Sequence, residues 1–600
     1  MSVPARLVVV VTLLSLTAAA SPVLPAAAAS DSPWAVGGVD VATLIDQMSL
    51  EQKVGQMLLL GFGGTQMDGT IAAFLDEMQP GGVALFTRNI SGPEQTMKLV
   101  QGIRGHDVVV GGALERGHPV TRRLPPFIAV DQEGGNVVRL KSQAAVLPSA
   151  MALGAADDVE LAREVGRTLG EDLVAWGFNM NLAPVLDVNS NPRNPVIGIR
   201  SFGGDAKRVA EIGVGYARGL GDAGVVAVAK HFPGHGDTDV DSHYGLPVLQ
   251  HDRARLFDVE LRPFARAFAE GLPAIMTAHI ALPMIAEGGD VPATVSHKVL
   301  TGLLRDELSY DGLVITDGLE MQGMLERFGA GEAAIQAVVA GADMVMVLWS
   351  VEKKREVRQA LLDAATSGRL PRDRLDQAVR RVLEAKARAG LFQRPVVDIK
   401  SAKRQLARHD RKAMRDVARR AVTVVKDRRH SLPLTRETVV AVAAAQPAFL
   451  QGIAAATRAR TLTLSWTPNK ERVRKDAARL VELAKDADVV VVGMQNGDHA
   501  ALVRAVQTAF PDKPIVVVSF GSPYLIYSFP TVSAYVCAFG WRDDSARAAA
   551  KVLIGAFRAE GRMPVSLAAA FNGDTPSPDD ADVVPVAITA ASVPELGGGQ

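Results

Sequence analysis

The feature that most constrains this chain is an alternation. Across residues 40–395, short apolar and β-branched runs recur, and amphipathic stretches lie between most of them. The runs include 82–86 (GVALF), 126–130 (PFIAV), 180–185 (MNLAPV), 225–229 (VVAVA), 274–278 (AIMTA), 312–316 (GLVIT) and 342–347 (ADMVMV). Runs of this length, apolar throughout and ended by polar or glycine residues, read as parallel strands buried on both faces. The stretch 159–169 (VELAREVGRTL) shows the helical period expected between them. Strand–helix units over about 350 residues suit either a closed (β/α)₈ barrel or an open, doubly wound sheet. Polar residues immediately after the runs favour the barrel: Asp131, Asp187, Lys230 with His231, His279 and Asp317. In a barrel such residues converge on one mouth, whereas in an open sheet they spread along an edge.

The rest of the chain divides accordingly. The catalytic barrel is expected over 40–395, and a basic stretch, 396–434, reads as a helical linker with a solvated face. A second strand–helix domain follows over 435–570, with runs at 438–443 (TVVAVA), 487–493 (ADVVVVG) and 514–519 (PIVVVS). Its size suits a smaller α/β sandwich. The tail, 571–600, is rich in Pro, Asp and Gly and is expected to lack a packed core. No internal repeat is visible.

Charge and cysteine usage exclude some function classes. Lys plus Arg total 65 and Asp plus Glu total 65, so nothing electrostatic argues for a nucleic-acid partner. Cys537 is the one cysteine, in the apolar run 534–539, so no intrachain disulfide forms and a buried, inert thiol is expected. At the N-terminus a weakly basic start precedes the apolar run 7–16, and small residues gather at 26–29. This is the pattern of a signal peptide over 1–29, and it implies a soluble exported protein. The run is too short to span a bilayer comfortably, so no stable membrane insertion is expected.

Two segments carry chemistry. The first, 230–243 (KHFPGHGDTDVDSH), is broken by Pro233, Gly234 and Gly236 and is read as a loop after a strand. As a calcium loop it fails, because Ser242 stands where glycine is needed and Val248 where the bidentate Glu belongs. As a transition-metal site it is weak, since His231 and His235 are four apart with no helix to align them. As an acid/base device it is economical. Asp241 and His243, two apart in extended chain, can lean to one side, and the carboxylate would fix the tautomer of the ring. The second segment, 312–321 (GLVITDGLEM), ends an apolar strand at Asp317. Asp317 is open to two readings, a carboxylate meeting a ligand or a helix N-cap. Glu320 is the rival carboxylate, placed in the following helix.

The stretch 230–243, together with 131–135 (DQEGG), 194–203 (NPVIGIRSFG) and 315–321 (ITDGLEM), resembles glycoside hydrolase family 3. More narrowly, it resembles the β-N-acetylglucosaminidase (β-N-acetylhexosaminidase) branch, and the likeness runs over 40–570. The resemblance implies a barrel and a C-terminal sandwich, with Asp317 as nucleophile and His243 as general acid/base supported by Asp241. It also implies that Asp131, Arg139, Arg200, Lys230 and His231 hold the sugar hydroxyls. The β-glucosidase branch instead takes its acid/base Glu from the second domain. Two departures stand out. Residues 105–123 are longer and richer in glycine than usual and read as added loop, and Asn136 stands where many relatives carry Arg.

The implied reaction is retaining hydrolysis of a terminal β-linked N-acetylglucosamine through a covalent glycosyl–Asp317, with no metal or organic cofactor. Peptidoglycan fragments (muropeptides) are the substrate that export suggests, and phosphate is a conceivable acceptor in place of water. The rivals are a β-glucosidase or β-xylosidase of the same family and a sugar-binding protein without catalysis.

Overall fold

The structure is a computed structural model that describes residues 40–115, 118–242, 244–286, 289–428 and 430–567, without the side chains of 112–120. The expected leader at 1–29, the candidate acid/base His243 and the tail at 571–600 lie outside the described residues.

Ten strands come first: β1 (Leu58–Leu60), β2 (Gly82–Leu85), β3 (Val108–Glu115), β4 (His118–Leu124) and β5 (Phe127–Val130), then β6 (Met180–Asn181), β7 (Val226–Phe232), β8 (Ala274–Thr277), β9 (Leu313–Gly318) and β10 (Met344–Val347). Eight of them close a barrel in the order β1-β10-β9-β8-β7-β6-β5-β2. Every neighbouring pair is parallel, so all eight carboxyl ends open on one rim.

The reason these runs lack polar alternation is visible in the packing. Leu59, Ala84, Phe127, Ala129, Val226, Val228, Ile315 and Met346 fill the barrel interior as one cluster. Their chain neighbours Leu58, Leu60, Val83, Ile128, Ala227, Val314 and Val345 pack in the layer beneath the outer helices. Both faces are thus apolar, as parallel strands between a core and a helical shell require. Val382 and Ala385 of the helix Arg372–Arg388 join the interior cluster.

Four features differ from the sequence-based expectation. β1 has three residues, too few to stand out as a run. β6 keeps only two of the expected six residues as continuous strand, although Pro184 O still accepts from Lys230 N (3.0 Å) and Val185 makes an isolated parallel bridge to Lys230. The stretch 105–123 is not added loop: β3 and β4 form an antiparallel hairpin of their own, with a register shift between Gly111 and Ala113 that accommodates the glycine pair. β7 runs on through Phe232, so Lys230 and His231 stand on the strand and not in the loop after it.

The second domain is a six-stranded sheet in the order β11-β16-β15-β14-β12-β13. Its strands are β11 (Thr423–Asp427), β12 (Val439–Ala444), β13 (Arg458–Thr463), β14 (Val489–Met494), β15 (Ile515–Ser519) and β16 (Ala534–Cys537). β11 runs antiparallel to β16 and the others are parallel. Val440, Val442, Val491 and Val518 belong to one buried layer, and Ala441, Ala443, Val490 and Val517 to the other, so helices cover both faces. Cys537 is a buried free cysteine whose thiol pKa is pushed up by that burial. The expected linker, 396–434, is helical only at Ile399–Arg408 and Lys412–Arg420, and β11 begins the sheet inside it.

The sandwich rests on the barrel rim. Ser149 Oγ donates to Phe539 O (2.6 Å), and Asn189 Nδ2 donates to Tyr524 Oη (2.9 Å), both in buried surroundings. Gly204 N donates to Pro564 O, and Arg562 N to Ala155 O, each at 2.9 Å. Among the described residues no helix is long and apolar enough to cross a membrane.

Candidate active site

The rim carries a network of paired charges. The exit of β5 supplies Asp131 and Glu133, the end of β7 supplies Lys230 and His231, and the short turn Gly198–Arg200 supplies Arg200. Lys230 Nζ lies 2.7 Å from Asp131 Oδ1 and 2.6 Å from Glu133 Oε1. Arg200 grips Glu133 with two parallel bonds, Nε to Oε2 (2.8 Å) and Nη2 to Oε1 (2.9 Å). Such a two-pronged pair fixes direction as well as distance. Burial alone would raise the Glu133 pKa, but Arg200 and Lys230 outweigh it and hold the carboxyl well below the usual range. Burial would likewise lower the Lys230 and Arg200 values, and their acidic partners raise them instead. Glu133, Lys230 and Arg200 are therefore charged at neutral pH.

His231 is oriented from behind. Asp187, fully buried after β6, accepts from His231 Nδ1 at 2.6 Å and from the His231 and His235 backbone amides at 3.1 and 2.7 Å. A carboxylate on Nδ1 keeps the proton there and leaves Nε2 facing Arg200 Nη2 at 3.5 Å. Arg139 completes the group, with Nη2 3.7 Å from Asp131 Oδ2. Its backbone and that of Leu140 donate to Gln132 Oε1 at 2.9 and 3.0 Å, so a buried amide shapes this segment. Asn136 is exposed in the turn between Gly134 and Val137.

Asp317 lies within β9, half-buried, and its Oδ1 accepts from Gly318 N at 2.7 Å. The N-cap reading does not hold, because the following helix, Gln322–Phe328, is capped at Met321. Glu320 is not in that helix either. Its carboxylate accepts from the backbone amides of Leu348 (2.6 Å), Trp349 (2.7 Å) and Ser350 (2.7 Å), which ties the exit of β9 to the exit of β10. The rival carboxylate is committed to the scaffold.

The loop after β7 is built on close backbone approach. A Cβ at Gly236 would lie 1.8 Å from the Val188 carbonyl, so only glycine fits. Asn194 Nδ2 donates to His235 O (2.8 Å) and Gly236 O (3.1 Å). His235 lies between Thr238 Oγ1 on Nδ1 (2.7 Å) and Ser242 Oγ on Nε2 (3.0 Å). Burial, with His231 beside it, pushes its pKa down to about 4. Further along, Asp241 O accepts from Tyr244 N (3.0 Å) and Gly245 N (3.2 Å). A Cβ at Gly323 would meet Gly245 O at 3.2 Å, so this loop packs against the start of the helix Gln322–Phe328. Asp241 itself is half-buried. The structure thus brings together Asp131, Arg139, Arg200, Lys230 and His231, and sets the Asp241 segment beside the helix that follows β9.

Asp237 turns away from this pocket to His251 Nε2 at 2.7 Å. Asp237, His251 and Glu260 could converge on a metal ion. Arg255 already supplies positive charge there, 3.0 Å from Glu260 and 3.6 Å from Asp237.

Glu133, Gln132 and Phe86 were not singled out by sequence reasoning, and Asp187 only as one of the polar residues at strand ends. Glu133 stands inside the quoted 131–135 motif, and only its pairing with distant Arg200 reveals its role. An aromatic wall also escaped notice. Phe86 and Trp349 lie 5.5 Å apart by ring centroids, with Arg88 over Trp349 at 4.1 Å and Arg139 over Phe86 at 5.5 Å.

Comparison with known proteins places the two domains in one family. Residues 49–385 match the glycosyl hydrolase family 3 N terminal domain, and residues 422–586 match the corresponding C-terminal domain. A family 3 β-N-acetylglucosaminidase from Paenibacillus sp. str. FPU-7 superposes with a TM-score of 0.77 at 36% identity, over 87% of this chain and 99% of that one. β-Hexosaminidase A of Pseudoalteromonas piscicida is 28% identical over 598 residues, 87% of this chain and 97% of that protein. A β-N-acetylglucosaminidase/β-glucosidase of Cellulomonas fimi is 29% identical over 406 residues, 66% of this chain and 68% of that protein.

Proposed function

The chain belongs to glycosyl hydrolase family 3, and from that premise we propose that it is an exported, retaining exo-β-N-acetylglucosaminidase with Asp317 as nucleophile and His243 as acid/base. It is a glycoside hydrolase of the hexosaminidase kind, as its relatives are. The observation that carries the finer reading is the joint one at the rim. A polar grip is assembled at β5 and β7, while Asp317 stands on β9 with its neighbouring carboxylate otherwise engaged.

The chemistry follows from where charge develops. Asp131 and Lys230 can exchange their mutual bond for sugar hydroxyls, and His231, held from behind by Asp187, presents its Nε2 beside them, so binding orients the ring over Asp317. Asp317 attacks the anomeric carbon while His243, as imidazolium, gives its proton to the leaving oxygen. Neutral His243 then takes a proton from water as the glycosyl–Asp317 ester is hydrolysed, and configuration is retained. Asp241 would steady the imidazolium. Support for an acid/base from the barrel comes from the second domain's approach to the rim. The contacts at Tyr524, Phe539 and Pro564 bring no carboxylate.

Peptidoglycan-derived fragments are the substrate we favour, through the leader pattern at the N-terminus. Paired aryl β-N-acetylglucosaminide and β-glucoside substrates test the assignment. Cleavage of the acetamido sugar alone upholds it, equal cleavage of both transfers the chain to a broader β-glycosidase reading, and cleavage of neither overturns catalysis. The same assay in phosphate buffer, read for glycosyl phosphate, decides whether water is the acceptor.

A further inference from the structure

The carboxyl edge of the second sheet holds polar atoms that the protein itself leaves unanswered. Two helices start there and pack side by side, Pro447–Ala454 after β12 and Asp543–Leu553 after β16. A Cβ at Gly452 would lie 2.7 Å from the Ala550 Cβ. The residues before them are Gln446 and Arg542. Arg542 is half-buried, has no ion pair among the described residues, and its Nε is sealed from water without an acceptor. Gln446 Oε1 and Ser545 Oγ are buried and equally without partners. Trp466, at the exit of β13, is 47% exposed. Together with Trp541, Arg542 and Asp543 it lines a cavity of about 460 Å³. Arg542 and Ser545 also line an adjoining cavity of about 270 Å³, where Lys141, Arg411 and Arg415 outnumber the one acid, Asp544.

A half-buried guanidinium whose Nε meets neither water nor an acceptor is costly, and two helix N-termini beside it add to the positive potential. The acids nearby do not relieve it: Asp543 and Asp544 face Arg547 at 3.5 and 3.0 Å. What satisfies this place is an anion. What satisfies two indoles is a ring with an apolar face. A pyranose bearing a carboxylate supplies both.

We propose that this cleft is a second saccharide site, binding an acidic sugar with its ring against Trp466 and Trp541 and its carboxylate on Arg542. The inference rests on the reading that glycan fragments are the enzyme's substrates. Lys141 stands two residues beyond Arg139, so one segment borders both the catalytic rim and the cleft.

Calorimetric titration of the full chain tests it. The probe is N-acetylmuramic acid, with N-acetylglucosamine present at saturation. The two sugars share a ring and differ by an ether-linked lactate carboxylate. Saturable binding is expected in the wild type and in Asp317→Asn. A loss of at least tenfold is expected in Arg542→Gln and in Trp466→Ala, with aryl hydrolysis unchanged in both. Absence of binding, binding untouched by those two variants, or occupation by inorganic phosphate in place of the acidic sugar overturns the proposal. If the acidic sugar binds through Arg542 but no aryl glycoside is cleaved, the assigned activity fails and the site stands.

Discussion

Two carboxyl edges of parallel sheets face solvent in this molecule, and they treat their charges in opposite ways. At the barrel rim, Asp131, Glu133, Lys230, Arg200, His231 and Asp187 are cross-paired at 2.6–2.9 Å. At the sandwich edge, Arg542, Gln446 and Ser545 have polar atoms buried with no partner, whereas at the rim that state is met, among the described residues, at Arg139 Nε and Asn189 Oδ1 beside the paired charges. The first edge is preorganised: its side chains are held before any ligand arrives, so little is spent on ordering them during the reaction. The second is unsatisfied, which is how a site looks when its ligand completes it. Parallel topology places functional groups at strand ends in both cases, but only the pairing of charges separates a place prepared for chemistry from one prepared for binding.

Substitutions sharpen this contrast, and the largest effect belongs to the rim. Asp317→Asn is expected to cut hydrolysis of an aryl β-N-acetylglucosaminide by about 10³-fold or more while the thermal transition stays within about 2 °C of wild type. Glu133→Gln comes next. It strips the buried counter-charge from Arg200 and Lys230, with an expected cost of about 3–5 kcal/mol in urea unfolding and a fall in kcat/KM, because the grip on the ring loses its frame. A near-neutral result would break the contrast, since it would mean that the paired network is not structurally required.

A pH series isolates His235. Its folded pKa, about 4, lies below the ordinary histidine value of 6.5, so its contribution is fully present above pH 6.5 and is lost as pH falls toward 4. Denaturant midpoints should therefore show a loss on the order of 3 kcal/mol over that window, and His235→Asn should flatten it. The smallest effect belongs to the sandwich. Arg542→Gln removes an unpaired, half-buried cation and is expected to leave stability within about 0.5 kcal/mol of wild type or to raise it. A cost like that of Glu133→Gln would show that Arg542 is part of the framework and would erase the difference between the two edges.

The barrel was legible because its physics is local. A strand buried on both faces must be apolar throughout, and 126–130 or 274–278 can be little else. The charged cluster at the rim was legible through motif resemblance, which singled out Asp131, Arg139, Arg200, Lys230 and His231, and the structure brings these together. What escaped was set by distance in space. Glu133 is 67 positions from Arg200, and no pattern of spacing announces that pair. Glu320, three residues after Asp317, looked like a competing carboxylate until the amides of 348–350 were seen to occupy it. β13 (RARTLT) buries Leu462 but exposes most of its length at the sheet edge, so it carries almost no apolar signal. The hairpin β3–β4 was hidden by its glycines, which resemble loop composition although they sit at a register shift.

The position of β11 has a consequence for how this protein comes into being. β11 ends at Asp427, but the strand that holds it in the sheet, β16, begins at Ala534. Pro564 and Arg562, which fasten the sandwich to the barrel, come later still. A ribosome adds roughly 5–20 residues per second, so β11 leaves the tunnel on the order of ten seconds before its partner exists. During that interval the barrel can complete its own ring, while the sandwich remains an unfinished sheet with an open edge. Truncation anywhere before β16 would therefore strand β11 without a neighbour and forfeit the second domain as a unit.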